Sequence, residues 1–266
     1  MTNKIKQNSF LSQVFLTTKE PCESLAEVLL ESGAVSVLEV GPGGGILTEV
    51  LLEKGFKVTA VEKDKRWAEK LKKLSSHEHK NLTVICKDIL RFDLPSWVAA
   101  QKEPVAICGN IPYHISSAIT FWTLPVLNSI QIAVYLTQLE FAQRLAAKPA
   151  NKSYGSLSVY TQLRCAPRFV RKVGKELFSP IPKVDSAIVS LEKKKISFDE
   201  VTLKEIEWLT KYLFSKRRKT LKNSLKKVIE FVSLDLDLQQ RPEVLSPEDF
   251  ATIVIDLRKK GVKIPF

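Results

Sequence analysis

The chain has 266 residues, which suits one large domain or a medium domain with a small companion. Its 44% hydrophobic content supports a sizeable core, and no run of about eighteen apolar residues occurs, so no membrane span is expected. The formal charge of +12 favours polyanionic partners, and the opening MTNKIKQNSF lacks the apolar core of a secretory signal, so a cytoplasmic location is expected.

In chain order, VSVLEV (35–40) and KVTAVE (57–62) read as strands, with ILTEVLLEKG between them as a helix. That helix sets Ile46, Val50 and Leu51 on one face and stops at Gly55. DKRWAEKLKKL opens on an Asp64 cap and lines up Trp67, Leu71 and Leu74. NLTVICKD (81–88), PVAICGN (104–110) and IQIAVYLTQ (130–138) are further strands. YGSLSVYTQLRC (154–165) reads as a helix and SAIVSLEK (186–193) as a closing strand. Continuous apolar strands alternating with helices predict an α/β domain, its parallel sheet covered on both faces. After about residue 203 the pattern is helical only: Leu209, Leu213, Leu221, Leu225 and Val228 keep helical spacing, and SPEDFATIVIDL (246–257) opens with a cap and a first-turn proline. A boundary near residue 196 follows, giving domains 1–196 and 197–266.

Cys22, Cys86, Cys108 and Cys165 are dispersed and form no C-x-x-C pair, so no metal site is expected. Cys86 and Cys108 lie in apolar strand runs and are expected to be buried in a reducing compartment. His77-Glu78-His79 reads as a polar loop.

Chemistry collects at the strand ends, where ligands bind in such sheets. LEVGPGGGILT (38–48) sends a strand through a glycine turn into a helix. Gly41 and Gly43 fit a dinucleotide fingerprint, but Ile46 stands where its third glycine belongs, and no P-loop Lys-Ser/Thr follows. With Glu39 ahead of it, the turn suits a cationic nucleoside without phosphates, such as S-adenosylmethionine. Glu62, about twenty residues past the turn, is placed to accept ribose hydroxyls. Asp88 is placed for an adenine amino group, with Ile89 against the ring. The next strand delivers Asn110-Ile111-Pro112-Tyr113. An exocyclic base amine is a poor nucleophile because its lone pair is delocalised. Two acceptors at its protons, the Asn110 side-chain oxygen and the Ile111 carbonyl, localise that pair. Pro112 keeps them aimed and Tyr113 offers a face for stacking.

Asn-Ile-Pro-Tyr behind an E-x-G-x-G turn resembles the amino-group methyltransferases that use S-adenosylmethionine. More narrowly, the chain resembles the ribosomal RNA adenine N6-dimethyltransferases. LSQVFL (11–16), YLTQLEFAQRL (135–145), KSYGSLSV (152–159), FSPIPKVDSAIV (178–189) and FSKRRKTLKNSL (214–225) carry the likeness in order. The resemblance implies a Rossmann-like class I methyltransferase domain with a mainly parallel seven-stranded sheet, and a small all-α RNA-binding domain after it. It places Gln13, Val14, Leu16, Gly41, Glu62, Asp88 and Asn110 around the cofactor, Val14 by its backbone alone. It places the target adenine with Asn110 and Tyr113, and Phe178 as a second stacking wall. His114, where Asn is common in the family, reads as a loop variant. The implied substrate is a pair of adjacent adenosines in a small-subunit hairpin loop, each methylated twice, within bare RNA or a pre-ribosomal subunit.

SKRRKTLKNSLKK (215–227) carries seven of the 41 basic residues and no acid. A solvated helical face usually mixes its signs, so Lys216, Arg217, Arg218, Lys219 and Lys222 are expected on a phosphate-facing helix, with Lys4 and Lys6 assisting. A monomer is expected. Two other functions fit the same motifs: a large-subunit adenine methyltransferase conferring macrolide resistance, and a non-catalytic RNA-binding assembly factor. The Arg-Arg-Lys-Thr run speaks against the first, and the intact Gly41, Glu62, Asp88 and Asn110 against the second.

Overall fold

The computed structural model describes residues 14–77, 80–195, 197–229, 236–262 and 264. A short strand β1 (Phe15–Leu16) leads into helix α1 (Glu20–Glu31), then β2 (Ser36–Val40), α2 (Ile46–Glu53), β3 (Lys57–Glu62), α3 (Lys65–His77) and β4 (Leu82–Cys86). Helix α4 (Leu94–Ala99), β5 (Val105–Asn110), α5 (Ser116–Thr123), β6 (Ile132–Gln138), α6 (Leu139–Leu145) and α7 (Ser156–Gln162) follow. Strands β7 (Cys165–Val173), β8 (Phe178–Ser179) and β9 (Ser186–Lys193) precede the helices α8 (Glu200–Ser215), α9 (Leu221–Ile229) and α10 (Pro247–Lys259).

Local chemistry sets the helix starts. Asp93 Oδ1 accepts from the Ser96 N–H at 3.1 Å at the head of α4, and Asp199 from Thr202 at 2.7 Å at the head of α8. Ser246 and Asp249 form a reciprocal capping box ahead of α10.

Among the described residues the main sheet has seven strands in the order β4-β3-β2-β5-β6-β9-β7. The pairs from β4 through β6 are parallel, and β9 runs antiparallel to β6. The chain steps outward from β2 to β4, then returns to lay β5 on the other side of β2. The switch point therefore falls between the ends of β2 and β5, where the glycine turn and Asn110 leave the sheet. Every residue of β2 is buried, as expected for a strand covered on both faces.

Two compact units divide the chain: 1–142 with 168–193, and 143–167 with 194–266. The last crossing lies close to residue 196, but residues 143–167, expected in the first unit, belong to the second. The reason is packing. Tyr154, Val159 and Leu163 join Leu203, Leu209, Leu213, Phe250 and Leu257 in one apolar core, and the Tyr154 hydroxyl donates to the Leu245 carbonyl at 2.9 Å.

Three other expectations change. The helix expected over 154–165 occupies only Ser156–Gln162, and Cys165 opens the edge strand β7, whose apolar pattern is interrupted by Pro167, Arg168, Arg171 and Lys172. Cys86 is exposed, because β4 is the opposite edge of the sheet, whereas Cys108 on β5 is buried. The basic run is not one helix: α8 ends at Ser215, residues 216–219 turn, and α9 begins at Leu221. Leu213 and Leu221 are both buried, and the turn lets both reach the core. The side chains of Leu74, Lys227 and Val228, and all of Lys4, Lys6, Glu78 and His79, lie outside the described residues.

Candidate active site

A cavity of about 210 Å³ opens at the switch point, bounded by β1, the glycine turn, the end of β3, the Asp88 turn and residues 110–115. Its floor is the turn itself. Gly41 has φ +64° and donates its N–H to the Val61 carbonyl at 2.9 Å. Gly43 has φ +52°, and a Cβ on it would stand 2.7 Å from the Phe15 ring. Glycine is thus required at position 43 on both backbone and steric grounds.

Glu62 ties this turn to β3. Its Oε2 accepts the Gly43 N–H at 3.0 Å and its Oε1 the Asp64 N–H at 2.7 Å. Each carboxylate oxygen keeps further acceptor capacity toward the cavity. Burial raises the Glu62 pKa, and the backbone donors oppose that rise. Asp88 caps the turn at Ile89–Arg91 by accepting the Leu90 N–H at 3.1 Å, and Lys63 lies 2.9 Å from its other oxygen. The Lys63 contact holds Asp88 below the usual carboxylate range, so it stays an acceptor. Ile89 is buried and lines the cavity.

Glu39 is 1% exposed and accepts the Thr48 hydroxyl at 2.7 Å. Burial pushes its pKa from 4.5 up to about 8, with Glu62 adding to the rise. The sign of the linkage follows. Below pH 4.5 the carboxyl is neutral folded or unfolded and costs nothing. Between pH 4.5 and about 8 the unfolded chain ionises first, so stability falls as pH rises. Glu39→Gln removes that slope. Unfolding free energies from urea titrations at pH 5 and pH 8 are expected to diverge for the wild type by on the order of 4 kcal/mol more than for the variant. Parallel pH profiles for the two proteins would contradict the buried acid.

Asn110 ends β5. Its Nδ2 donates to the Val14 carbonyl at 3.3 Å, which leaves Oδ1 as the acceptor for a ligand. Val14 contributes through its backbone, as its side chain requires. Ile111 N–H is taken by the Leu136 carbonyl at 3.0 Å, and Pro112 follows with φ −58°. The Tyr113 hydroxyl shares a 2.7 Å hydrogen bond with Ser186 Oγ, buried at the start of β9. Ser186 is a positioning residue that strand periodicity presented only as part of a strand. Ser186→Ala and Tyr113→Phe each remove that bond, worth about 1 kcal/mol. Each is expected to lower kcat roughly fivefold with cofactor affinity unchanged. The double variant is expected to be no worse than either single one, which steady-state kinetics would read directly. Additive losses would separate the two residues.

The remaining expected site residues divide. Leu16 lines the cavity, and so does Phe15, which no expectation named; its ring lies 5.2 Å from that of Trp67. A period-2 strand of two residues is too short to reveal such a wall. Phe178, expected as the second stacking wall, is 2% exposed in the apolar core. The β1–β8 pairing of Leu16 with Phe178 turns it inward. Gln13 lies outside the described residues. His114 is an exposed rim residue.

In the second unit, Lys216 Nζ sits over the Tyr212 ring at 4.0 Å. Arg217 pairs with Glu243 at 2.6 Å and donates to the Lys152 carbonyl at 3.0 Å. Arg218, Lys219 and Lys222 are exposed.

Residues 4–257 match the family described as ribosomal RNA adenine dimethylase. The chain belongs to that family. A Chlorobium phaeobacteroides protein, ribosomal RNA small subunit methyltransferase A, is 38% identical over 251 residues, 93% of this chain and 92% of its own. A dimethyladenosine transferase from Plasmodium falciparum superposes with TM-score 0.76 at 26% identity, covering 94% of this chain and 100% of that one. The 23S rRNA methyltransferase ErmE superposes with TM-score 0.66 at 30% identity, covering 92% and 99%. The expected Rossmann-like class I methyltransferase fold stands. This dimethylase is an enzyme that takes its methyl groups from S-adenosylmethionine.

The cavity fits that cofactor by its own features. Gly41 leaves open the space a Cβ would fill, and Glu62 and Asp88 supply acceptors for hydroxyl and amino groups. Glu39 and Glu62 are buried acids whose ionisation a bound cation would favour. Among the described residues no group of acids, histidines and cysteines could hold a metal ion, and no helix is long and apolar enough to cross a membrane.

Proposed function

We propose that this dimethylase methylates N6 of two adjacent adenosines, twice each, in a hairpin loop of small-subunit ribosomal RNA during maturation of that subunit. The observation that carries the chemistry is the hydrogen bond from Asn110 Nδ2 to the Val14 carbonyl, which commits Oδ1 to receive a proton-bearing group. The small-subunit assignment draws support from the name and identity of the Chlorobium relative.

S-adenosylmethionine, when bound, supplies a sulfonium-activated methyl group. The chain's residues do the rest. Gly41, Gly43, Glu39, Glu62, Asp88, Ile89, Leu16 and the Val14 backbone bound the cofactor region. Tyr113, its hydroxyl fixed on Ser186, presents its ring to the adenine. In the first transfer Asn110 Oδ1 and the Ile111 carbonyl accept hydrogen bonds from the two N6–H groups, and in the second one of them accepts from the remaining N–H; they draw the nitrogen toward tetrahedral geometry and concentrate its lone pair. Pro112 keeps both acceptors aimed. After transfer the extra proton leaves to solvent. Arg218, Lys219 and Lys222, all exposed, with Lys216 beside them, hold RNA phosphates without reading sequence. The enzyme works as a monomer in the cytoplasm, where its ribosomal substrate is made.

The test is mass spectrometry of both ribosomal RNAs after incubation with methyl-labelled cofactor. Labelled dimethyladenosine in one loop of the small-subunit RNA is expected. Label confined to the large-subunit RNA would instead support the second reading, which rests on likeness to ErmE. No label in either RNA overturns both.

A further inference from the structure

One loop at the rim of the cavity has the build of a tool for RNA. Residues 180–185 join two anchored points. Ser179 pairs with Phe15 in the β1–β8 ladder, and Ser186 is bonded to Tyr113; both partners line the cavity. Asp185 braces the loop further. Its carbonyl accepts the Leu139 N–H at 3.0 Å, its Oδ1 accepts the Lys175 N–H at 3.1 Å, and Lys172 lies 2.7 Å from its Oδ2. Between these anchors stands Ile181, flanked by Pro180 and Pro182 and 66% exposed, the most exposed large hydrophobic side chain among the described residues. Val184 on the same loop is 45% exposed, and Lys183 between them is exposed as well.

An isolated exposed aliphatic residue on a mobile tip needs no explanation. This one is presented by a proline-stiffened loop pinned at both ends, beside the ring expected to receive the base. Prolines on both sides lower the entropy lost when Ile181 is ordered against a partner. An adenosine leaving its stack opens a gap between its neighbours, and unstacking costs a few kcal/mol. Apolar side chains that insert between base steps offset such costs. Lys183 is placed to meet the phosphates beside the gap.

We propose that Ile181 is a wedge that enters the RNA stack where the target adenosine turns out toward Tyr113. The inference rests on the adenine N6 substrate assigned above and adds the residue that stabilises the extruded state. Ile181 is not among the residues that line the cavity, and in this role it meets the RNA rather than the cofactor.

The test compares full-length wild type, Ile181→Ala and Ile181→Leu. Each is assayed on the folded small-subunit RNA and on a short unstructured strand carrying the same adenosines. A parallel binding assay uses folded RNA with 2-aminopurine at the target position, whose fluorescence rises on unstacking. Ile181→Ala is expected to be about tenfold slower on folded RNA and within about twofold of wild type on the unstructured strand. It is also expected to lose most of the fluorescence rise, and Ile181→Leu to recover both. Equal losses on the two RNAs, or a full fluorescence rise with Ile181→Ala, would overturn the wedge. If the short strand is no substrate for any variant, the fluorescence decides. Wild type that methylates no RNA sinks the assigned substrate, a distinct result, and the wedge with it.

Discussion

Asn110→Ala lowers methyl transfer by roughly a hundredfold or more and leaves affinity for S-adenosylmethionine within about threefold. The two effects separate because in the proposed mechanism Asn110 Oδ1 meets the substrate amine, while the cavity beyond it is lined by the glycine turn, Glu62 and Asp88. Loss of one aligned acceptor leaves the N6 lone pair spread into the ring. The binding of Asn110 Nδ2 to Val14 is one hydrogen bond at 3.3 Å, worth about 1 kcal/mol, so the fold survives its removal. Asn110→Asp adds a sharper arm. It keeps an acceptor but sets a second carboxylate oxygen against the Val14 carbonyl, so an intermediate rate is expected. Single-turnover kinetics together with calorimetric titration of the cofactor measure both quantities. Undiminished dimethylation by Asn110→Ala would discard the acceptor role.

Gly109→Ala damages stability and catalysis together. A Cβ at position 109 would lie 2.5 Å from the Val40 carbonyl oxygen and 3.1 Å from Val40 Cβ. Those atoms belong to the neighbouring central strand, whose residues are all buried, so they have no room to yield. Pushing β5 away from β2 is expected to cost about 3 kcal/mol, the upper part of the range for overpacked cores. For a protein of this size that is a fall in Tm of about 6–12 °C. Asn110 is the next residue, so the displacement also moves the acceptor, and a shift near 1 Å costs about a hundredfold in rate. Thermal unfolding followed by circular dichroism, with methylation measured well below Tm, checks both. A Tm within about a degree of wild type would show that the strands separate without strain.

The motifs were readable because they are local. Turn glycines, acids at strand ends and Asn110-Ile111-Pro112-Tyr113 each need only a few consecutive residues to declare their chemistry. Apolar runs bounded by turns located the central strands of the sheet for the same reason. The edges were harder. β7 carries Arg168, Arg171 and Lys172 on a sheet edge, and Cys86 is exposed on the other, because edge strands are not bound by the two-sided burial that makes central strands obvious. Arg217 shows the limit of charge counting. Its guanidinium is taken by Glu243 and by the Lys152 carbonyl, partners distant in the chain.

By itself the sequence determined the parallel α/β domain, the helical character of the chain's last part and the short strand-end segments that meet at the cavity. These depend on patterns of period 2 or 3.6 and on backbone demands at single residues. Only the tertiary structure decided that Phe178 turns into the core, that Phe15 walls the cavity, that Ser186 fixes the Tyr113 ring and that residues 143–167 pack with the helices. Each of those outcomes is a choice between faces or partners far apart in the chain. Long-range pairing and core packing settle such choices, and neither leaves a periodic mark on the residues that undergo them.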